Sequence, residues 1–229
     1  MTEREWQACA DPTLMLTELT GRVSERKLRL FAVACCRHIW HLLPDQRSRS
    51  AVEVAERYAD GLAGKRELAA AKGAALGATG RSAVNGAWAA YWAVSNNVSG
   101  TISYTCGAAV EAKARFAVHS SPGTGAEQGA AWDAALAIGT RDQASFLREV
   151  LGNPFRPVAA DSAWLDWRSG LLRAMAWQIY ESSDFRDLPV LADALEDAGC
   201  TDPTLLAHCR ESGLHVRGCW VLDLLRSID

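Results

Sequence analysis

The chain lacks three patterns that would each have set its class. Strand-like alternation of apolar and polar residues is almost absent, the start Met1–Pro12 carries no basic-then-apolar leader, and no apolar run is long enough to cross a bilayer. These absences argue against β architectures, secretion and membrane insertion in turn. No P-loop, GxSxG elbow, GxGxxG turn, CxxC pair or HExxH helix occurs either, which removes the chemistries that announce themselves by such motifs. A surplus of cations is missing as well. The 24 Lys and Arg face 27 Asp and Glu, for a net charge of −3. Residues 1–62 are balanced at nine against nine, 63–145 carry seven cations against five anions, and 146–229 carry eight against thirteen. Binding to nucleic acid needs cations that displace counterions from phosphates, so a broad nucleic-acid surface is disfavoured. Arg22, Arg26, Lys27 and Arg29 form one small basic patch near a helix start.

What is present describes a globular protein of ordinary composition, 49% hydrophobic and 22% charged. Its 229 residues suffice for one substantial core or two small lobes. Seven cysteines are an odd number, and Cys35 and Cys36 are adjacent. That usage suits a reduced thiol pool better than a disulfide framework. The expectation is a cytoplasmic protein, in which Asn97-Val98-Ser99 has no glycosylation meaning.

Punctuation and period both indicate helix. Asp11-Pro12 opens a short helix to about Leu19, and Ser24 caps a second that runs to about Leu43. Leu28, Phe31, Ala32, Cys35, Ile39 and Leu42 make one stripe of that second helix, widened by Val33, Cys36, Trp40 and Leu43. Pro44-Asp45 starts a third. From Ala69 to Gly139 alanine takes 22 of 71 positions, with Trp88 and Trp92 at i, i+4, a composition suited to close helix packing. Ser95–Cys106 reads equally as helix, break or extended piece, and His119–Gly125 reads as a loop. Gly152-Asn-Pro-Phe-Arg-Pro157 is a rigid turn. Beyond it lie a helix marked by Trp164, Trp167, Leu171, Leu172, Met175 and Ile179, another over Leu188–Ala198, and one opened by Asp202-Pro203. The phrase Cys9-Ala-Asp-Pro-Thr-Leu14 is echoed in Cys200-Thr-Asp-Pro-Thr-Leu205.

The predicted fold is all-α, a single domain over 1–229 of about nine or ten helices. Its sub-lobes would be 1–151 and 152–229, with the two ends packed around an Ala/Gly/Trp-rich middle. The expected core includes Phe31, Cys35, Ile39, Trp40, Leu171, Leu172, Leu195, Trp220 and Leu224.

Three blocks carry a resemblance. They are Arg26-Lys-Leu-Arg-Leu-Phe-Ala-Val-Ala-Cys-Cys-Arg37 continuing through Ala51–Asp60, the turn Asn153-Pro-Phe-Arg-Pro157, and Leu188–Cys200 running into His215-Val-Arg-Gly-Cys-Trp220. Together they resemble a family of uncharacterised helical proteins abundant in planctomycete bacteria. The resemblance covers the two ends, about half the chain. It implies a bacterial protein and carries over no catalytic residue.

Chemistry, if any, belongs near the C-terminus, where Cys200, His208, Cys209, His215 and Cys219 crowd together. Thiolates and imidazoles are preferred ligands of zinc. His208 and Cys209 are adjacent on a helix and diverge by about 100°, so they do not both face one ion. The candidate set is Cys200, Cys209, His215 and Cys219, with Cys209 and His208 exchangeable, and the ion would be a structural zinc. The competing reading makes the cysteines core residues beside a capping or hydrogen-bonded histidine. Cys35, His38 and His41 lie three apart on one helix, yet coincide with its core face. Asp187, Asp193, Glu196 and Asp197 read as a solvated acidic face, with Asp193 open to pairing with Arg217. Pro122-Gly-Thr-Gly125 resembles a phosphate loop only in its glycines. The function expected is a non-catalytic interaction or regulatory module engaging protein. The rival is a metal- or thiol-dependent enzyme built on the C-terminal cluster.

Overall fold

The computed structural model describes residues 1–80, 86–121 and 123–228, and every regular element in them is helical. Among these residues are thirteen α-helices and three short 3₁₀ turns, against the nine or ten helices expected. The excess comes partly from breaks in stretches that read as continuous. No helix among the described residues is long and apolar enough to cross a membrane. The chain divides into two units, one of Met1 and Glu5–Ser145, the other of Thr2–Arg4 with residues 146 onward. The division falls inside a long helix and not at the Gly152–Pro157 turn.

The first unit is built on most of α1 (Glu3–Ala8), α2 (Pro12–Glu18), α3 (Glu25–His38), α4 (Gln46–Ala59), α5 (Lys65–Leu76), α6 (Ala87–Ala93), α7 (Ile102–Ser120) and most of α8 (Gly125–Leu151). Side chains start these helices by accepting from otherwise unpaired amides. Asp11 accepts from the amides of Thr13 and Leu14, Ser24 from Lys27, and Asp45 from Arg47. Asp202 accepts from Thr204 and Leu205 in the same way, so the echoed phrases build the same cap twice. The predicted helix to Leu43 stops at His38, and a 3₁₀ turn covers Trp40–Leu42. Ser95–Cys106 resolves into two of its three readings: a break, non-helical through Thr101, and then the first turns of α7.

Helix α3 is the centre of this unit, buried continuously from Lys27 to Cys36. The basic patch read from the sequence does not survive as a surface. Arg29 is 2% exposed, donates to the carbonyls of Ala93 and Ser95 at 2.9 Å each, and lies over the Tyr58 ring. Its guanidinium satisfies the carbonyls that α6 leaves at its C-terminus, and Arg26 is bonded to Asp60. Fully buried Ala89, Ala90 and Ala93 let α6 pack against α3, α4, α5 and α7.

The second unit contains α9 (Ser162–Asp166), α10 (Leu171–Ser182), α11 (Leu188–Asp197), α12 (Pro203–Arg210) and α13 (Trp220–Arg226). The predicted helix from Trp164 to Ile179 is broken by left-handed Arg168, Ser169 and Gly170. The break leaves Leu171 38% exposed, contrary to its assignment to the core. Leu172, Ile179, Leu191, Leu195, Leu205, Val221 and Leu222 form the apolar centre, which also takes in Cys200, Cys209 and Cys219. Helix α10 packs on α11 and α13, and α11 on α12. Trp40, Trp220 and Leu224 are half-buried, while Phe31, Cys35, Ile39, Leu172 and Leu195 are buried as expected.

Ile39 is 1% exposed, and its Cδ1 fills the space that a side chain at Gly86 would need. Ile39→Ala is expected to cost about 2–5 kcal/mol, the usual range for a large-to-small change in a packed interior. An unchanged urea midpoint would contradict this packing.

Candidate metal centre

Four side chains of the second unit converge. Glu149 lies near the end of α8, His208 on α12, His215 in the irregular stretch after α12, and Cys219 caps the start of α13. One ligand atom from each lies within 4.8 Å of all the others. The His215 Nδ1 is 3.0 Å from Glu149 Oε1, and the His208 Nε2 is 3.3 Å from both Glu149 Oε2 and Cys219 Sγ. A tetrahedral zinc with bonds of ~2.0–2.3 Å sets its ligands roughly 3.3–3.7 Å apart, so these three contacts are at or just under that spacing, while the four ligand atoms together, spread over up to 4.8 Å, would have to draw in to hold one ion.

The hydrogen-bond chemistry of the cluster follows from what each atom faces. His215 presents Nδ1 to the Glu149 carboxylate and Nε2 to the Glu211 carbonyl at 3.3 Å. Both partners accept, so the site favours a proton on each ring nitrogen, the imidazolium form of His215. Burial alone would lower its pKa, but the hydrogen bond and charge of Glu149 outweigh it and the net shift is upward. For Glu149, burial pushes the carboxyl up, and hydrogen bonds from His208 and His215 bring it down to about 2. Trp220 donates its indole N–H to His208 Nδ1 at 3.3 Å. That donor leaves Nδ1 as acceptor and puts the ring proton on Nε2, aimed at Glu149. The Cys219 thiol is fully buried and held well above its usual range, by burial first and then by the Glu149 charge.

Local backbone positions these groups. Gly152 has φ of +67°, and a Cβ there would lie 3.1 Å from the Trp220 ring. A glycine just past α8 therefore lets the indole seat beside His208.

Three of the five residues singled out in the sequence, His208, His215 and Cys219, are thus brought together. Cys200 and Cys209 lie in the apolar core instead, 3% and 0% exposed. Cys209 follows His208 directly, and the turn of α12 that aims one at the cluster aims the other into the core. Burial lifts the Cys209 thiol to about 12. The residue missed was Glu149, which is distant in the chain and stands in an amphipathic helix where carboxylates are ordinary. In the structure it stands among Phe146, Leu147 and Val150, all buried.

The other candidates separate. Cys35 is buried, while His41 is exposed and packs edge-on against Phe116. His38 Nε2 lies 2.9 Å from both Asp142 Oδ2 and Lys113 Nζ. Asp193 and Glu196 are exposed and accept from Arg210, not from Arg217, which lies over the Tyr180 ring. Of the turn 122–125, Pro122 falls outside the described residues, and Thr124 donates backbone and side-chain bonds to Glu127 at the start of α8. No protein-family model, curated protein or solved structure matches this chain.

Two outcomes follow. In the presence of chelator, Glu149→Ala is expected to destabilise the protein by about 1–3 kcal/mol, because it leaves the ring N–H groups of His208 and His215 without their buried acceptor. A loss well below 1 kcal/mol would contradict the pairing. His38 sits below its usual pKa, through burial first and then the Lys113 charge. The folded state therefore takes up this proton less readily than the unfolded chain. The corresponding stability is present above the usual value and is lost as pH falls through the lowered one. Urea midpoints between about pH 7.5 and 5 should fall less steeply in His38→Gln than in the parent. Parallel profiles would contradict the assignment.

Proposed function

We propose that the chain is a non-catalytic helical module for interaction or regulation, whose second unit is held by one structural zinc ion. The ligands are a Glu149 carboxylate oxygen, His208 Nε2, His215 Nδ1 and Cys219 Sγ. The observation that carries this reading is the convergence of four ligand atoms of three donor types within 4.8 Å. Mixed nitrogen, sulfur and oxygen donors suit zinc, whereas calcium and magnesium favour oxygen alone. Four protein donors complete a tetrahedron and leave no position for substrate, which is the arrangement of a structural site. The Glu211 carbonyl beside His215 Nε2 is the kind of partner that orients a ligating imidazole.

Zinc uptake on this reading displaces the Cys219 thiol proton and the proton on His215 Nδ1, so binding releases acid and weakens at low pH. On His208 the proton moves to Nδ1, where it meets the indole N–H, and the ring turns away from Trp220. The competing enzymatic reading draws on Cys219 as a nucleophile. A reactive thiol requires access and a lowered pKa, and both the burial and the upward shift of Cys219 weigh against it. The free state of all seven cysteines is in keeping with a reducing, cytoplasmic setting, and the family resemblance with a bacterial source. A protein partner is the class of ligand proposed for the module as a whole.

Elemental analysis of protein purified without added metal should give about one zinc per chain, against little in Cys219→Ser and His215→Ala. Chelation should lower the melting temperature and zinc should restore it. Metal-poor protein whose melting temperature ignores both chelator and zinc would overturn the reading.

A further inference from the structure

Helix α10 of the second unit buries one side and leaves the other to solvent. Leu172, Ala176, Ile179 and Tyr180 are buried, while Arg173, Ala174, Trp177, Gln178 and Glu181 are exposed. Arg173, Trp177 and Glu181 stand four residues apart, so they make one ridge about 12 Å long on the exposed side. Trp177 at its centre is 40% exposed, although large aromatics gain most from burial. The indole is held in place from within the fold. The Arg226 guanidinium lies 3.9 Å from its ring centroid, and Arg226 is itself 5% exposed and bonded to Asp223. A fixed, exposed tryptophan is the kind of anchor that carries binding energy at protein interfaces.

The charges on either side of it are set against their own helix. Arg173 lies in the first turn of α10 and Glu181 in the last, whereas the dipole favours anions at the N-terminal end and cations at the C-terminal end. Arg173 has no hydrogen-bonded or ionic partner among the described residues. Glu181, 56% exposed at its side chain, approaches Arg217 at 3.7 Å. An antiparallel copy of α10 reverses both mismatches. A two-fold axis through Trp177 sets Arg173 of each chain opposite Glu181 of the other, because both stand four residues from the axis. Each charge then faces the end of the second helix that has the opposite sign.

We propose that this face of α10 is a homodimer interface on which a second copy of the chain packs antiparallel, with the two Trp177 side chains meeting at the axis. Ridges of i±4 spacing on two helices interdigitate at about −50°, which aligns the two ridges along each other. A contact of this kind is self-complementary and closes at two copies. An anionic polymer would require cations in surplus, whereas one arginine and one glutamate placed symmetrically about an aromatic match their own copy. A single helix face is small beside the roughly 800 Å² per partner of a standard interface, so the dimer is weak and depends on concentration. The inference rests on the reading of the chain as an interaction module and names its partner, but needs no zinc. A chain that stays monomeric would overturn this interface and leave untouched the zinc content and chelator response that test the other reading.

The test is sedimentation equilibrium of the chain from about 5 to 500 µM. The mass should rise with concentration from 24.7 kDa toward twice that value, and less steeply at high salt. Arg173→Glu and Glu181→Arg should each weaken dimerisation by about tenfold or more, because each sets like charges opposite one another. Both substitutions lie on the solvent side, so circular dichroism and melting temperature should stay as in the parent. Mixed together, the two variants should pair at least about tenfold more tightly than either alone, since one is then acidic and the other basic at both positions. A mass of 24.7 kDa throughout, a dimer indifferent to both substitutions, or a mixture that associates no better than its components would each overturn the proposal.

Discussion

The second unit depends on one buried carboxylate. Glu149 is 8% exposed at its side chain, and a lone anion there would cost several kcal/mol to desolvate. Two imidazoles offset that cost by donating to its two oxygens, and each is itself oriented by a further group, Glu211 for His215 and Trp220 for His208. The chain from Glu211 to Cys219 forms no regular element apart from a turn. Its backbone has no helical ladder to order it, so the polar cluster supplies constraints that secondary structure does not. A polar network satisfied at every member rigidifies its surroundings, whereas a partly satisfied one destabilises them. This asymmetry makes Glu149 consequential out of proportion to its single hydrogen-bonded contacts.

The same donor set is both a hydrogen-bond network and a ligand set, because the atoms that share protons are the atoms that share an ion. The two states differ in what they ask of the neighbours. In the proton-sharing state the indole of Trp220 suits His208 and the carbonyl of Glu211 suits an imidazolium at His215. In the zinc-bound state proposed here the Glu211 contact persists and the Trp220 contact does not. Trp220 is thereby the residue whose surroundings change most with occupancy, and Gly152, which leaves room for its ring, shares in that change.

Much of the fold was legible because helices report themselves locally. The Asp-Pro caps of α2 and α12 and the buried stripe of α3 follow from period and punctuation alone, and the structure places Asp11, Asp202, Phe31 and Ile39 as those patterns require. Breaks were harder. The kink at Arg168–Gly170 needs left-handed backbone at two residues other than glycine, and nothing in Arg168-Ser169 announces it. The site was half legible. Cys219 and His215 stood out by type and crowding, but which of two adjacent residues on α12 faces the cluster depends on the phase of that helix against its core. Glu149 depends on a contact remote in sequence, and no local pattern marks a carboxylate as inward-facing. Arg29 makes the same point in reverse: it read as part of a basic surface and instead closes the end of α6.

The central claim, that these four side chains form a closed tetrahedral site, is tested most directly by the absorption spectrum of cobalt(II)-substituted protein. The account requires intense tetrahedral d–d bands and a single thiolate-to-cobalt charge-transfer band that disappears in Cys219→Ser and persists in Cys200→Ser and Cys209→Ser. Weak octahedral bands, or a charge-transfer band that survives in Cys219→Ser, would contradict it.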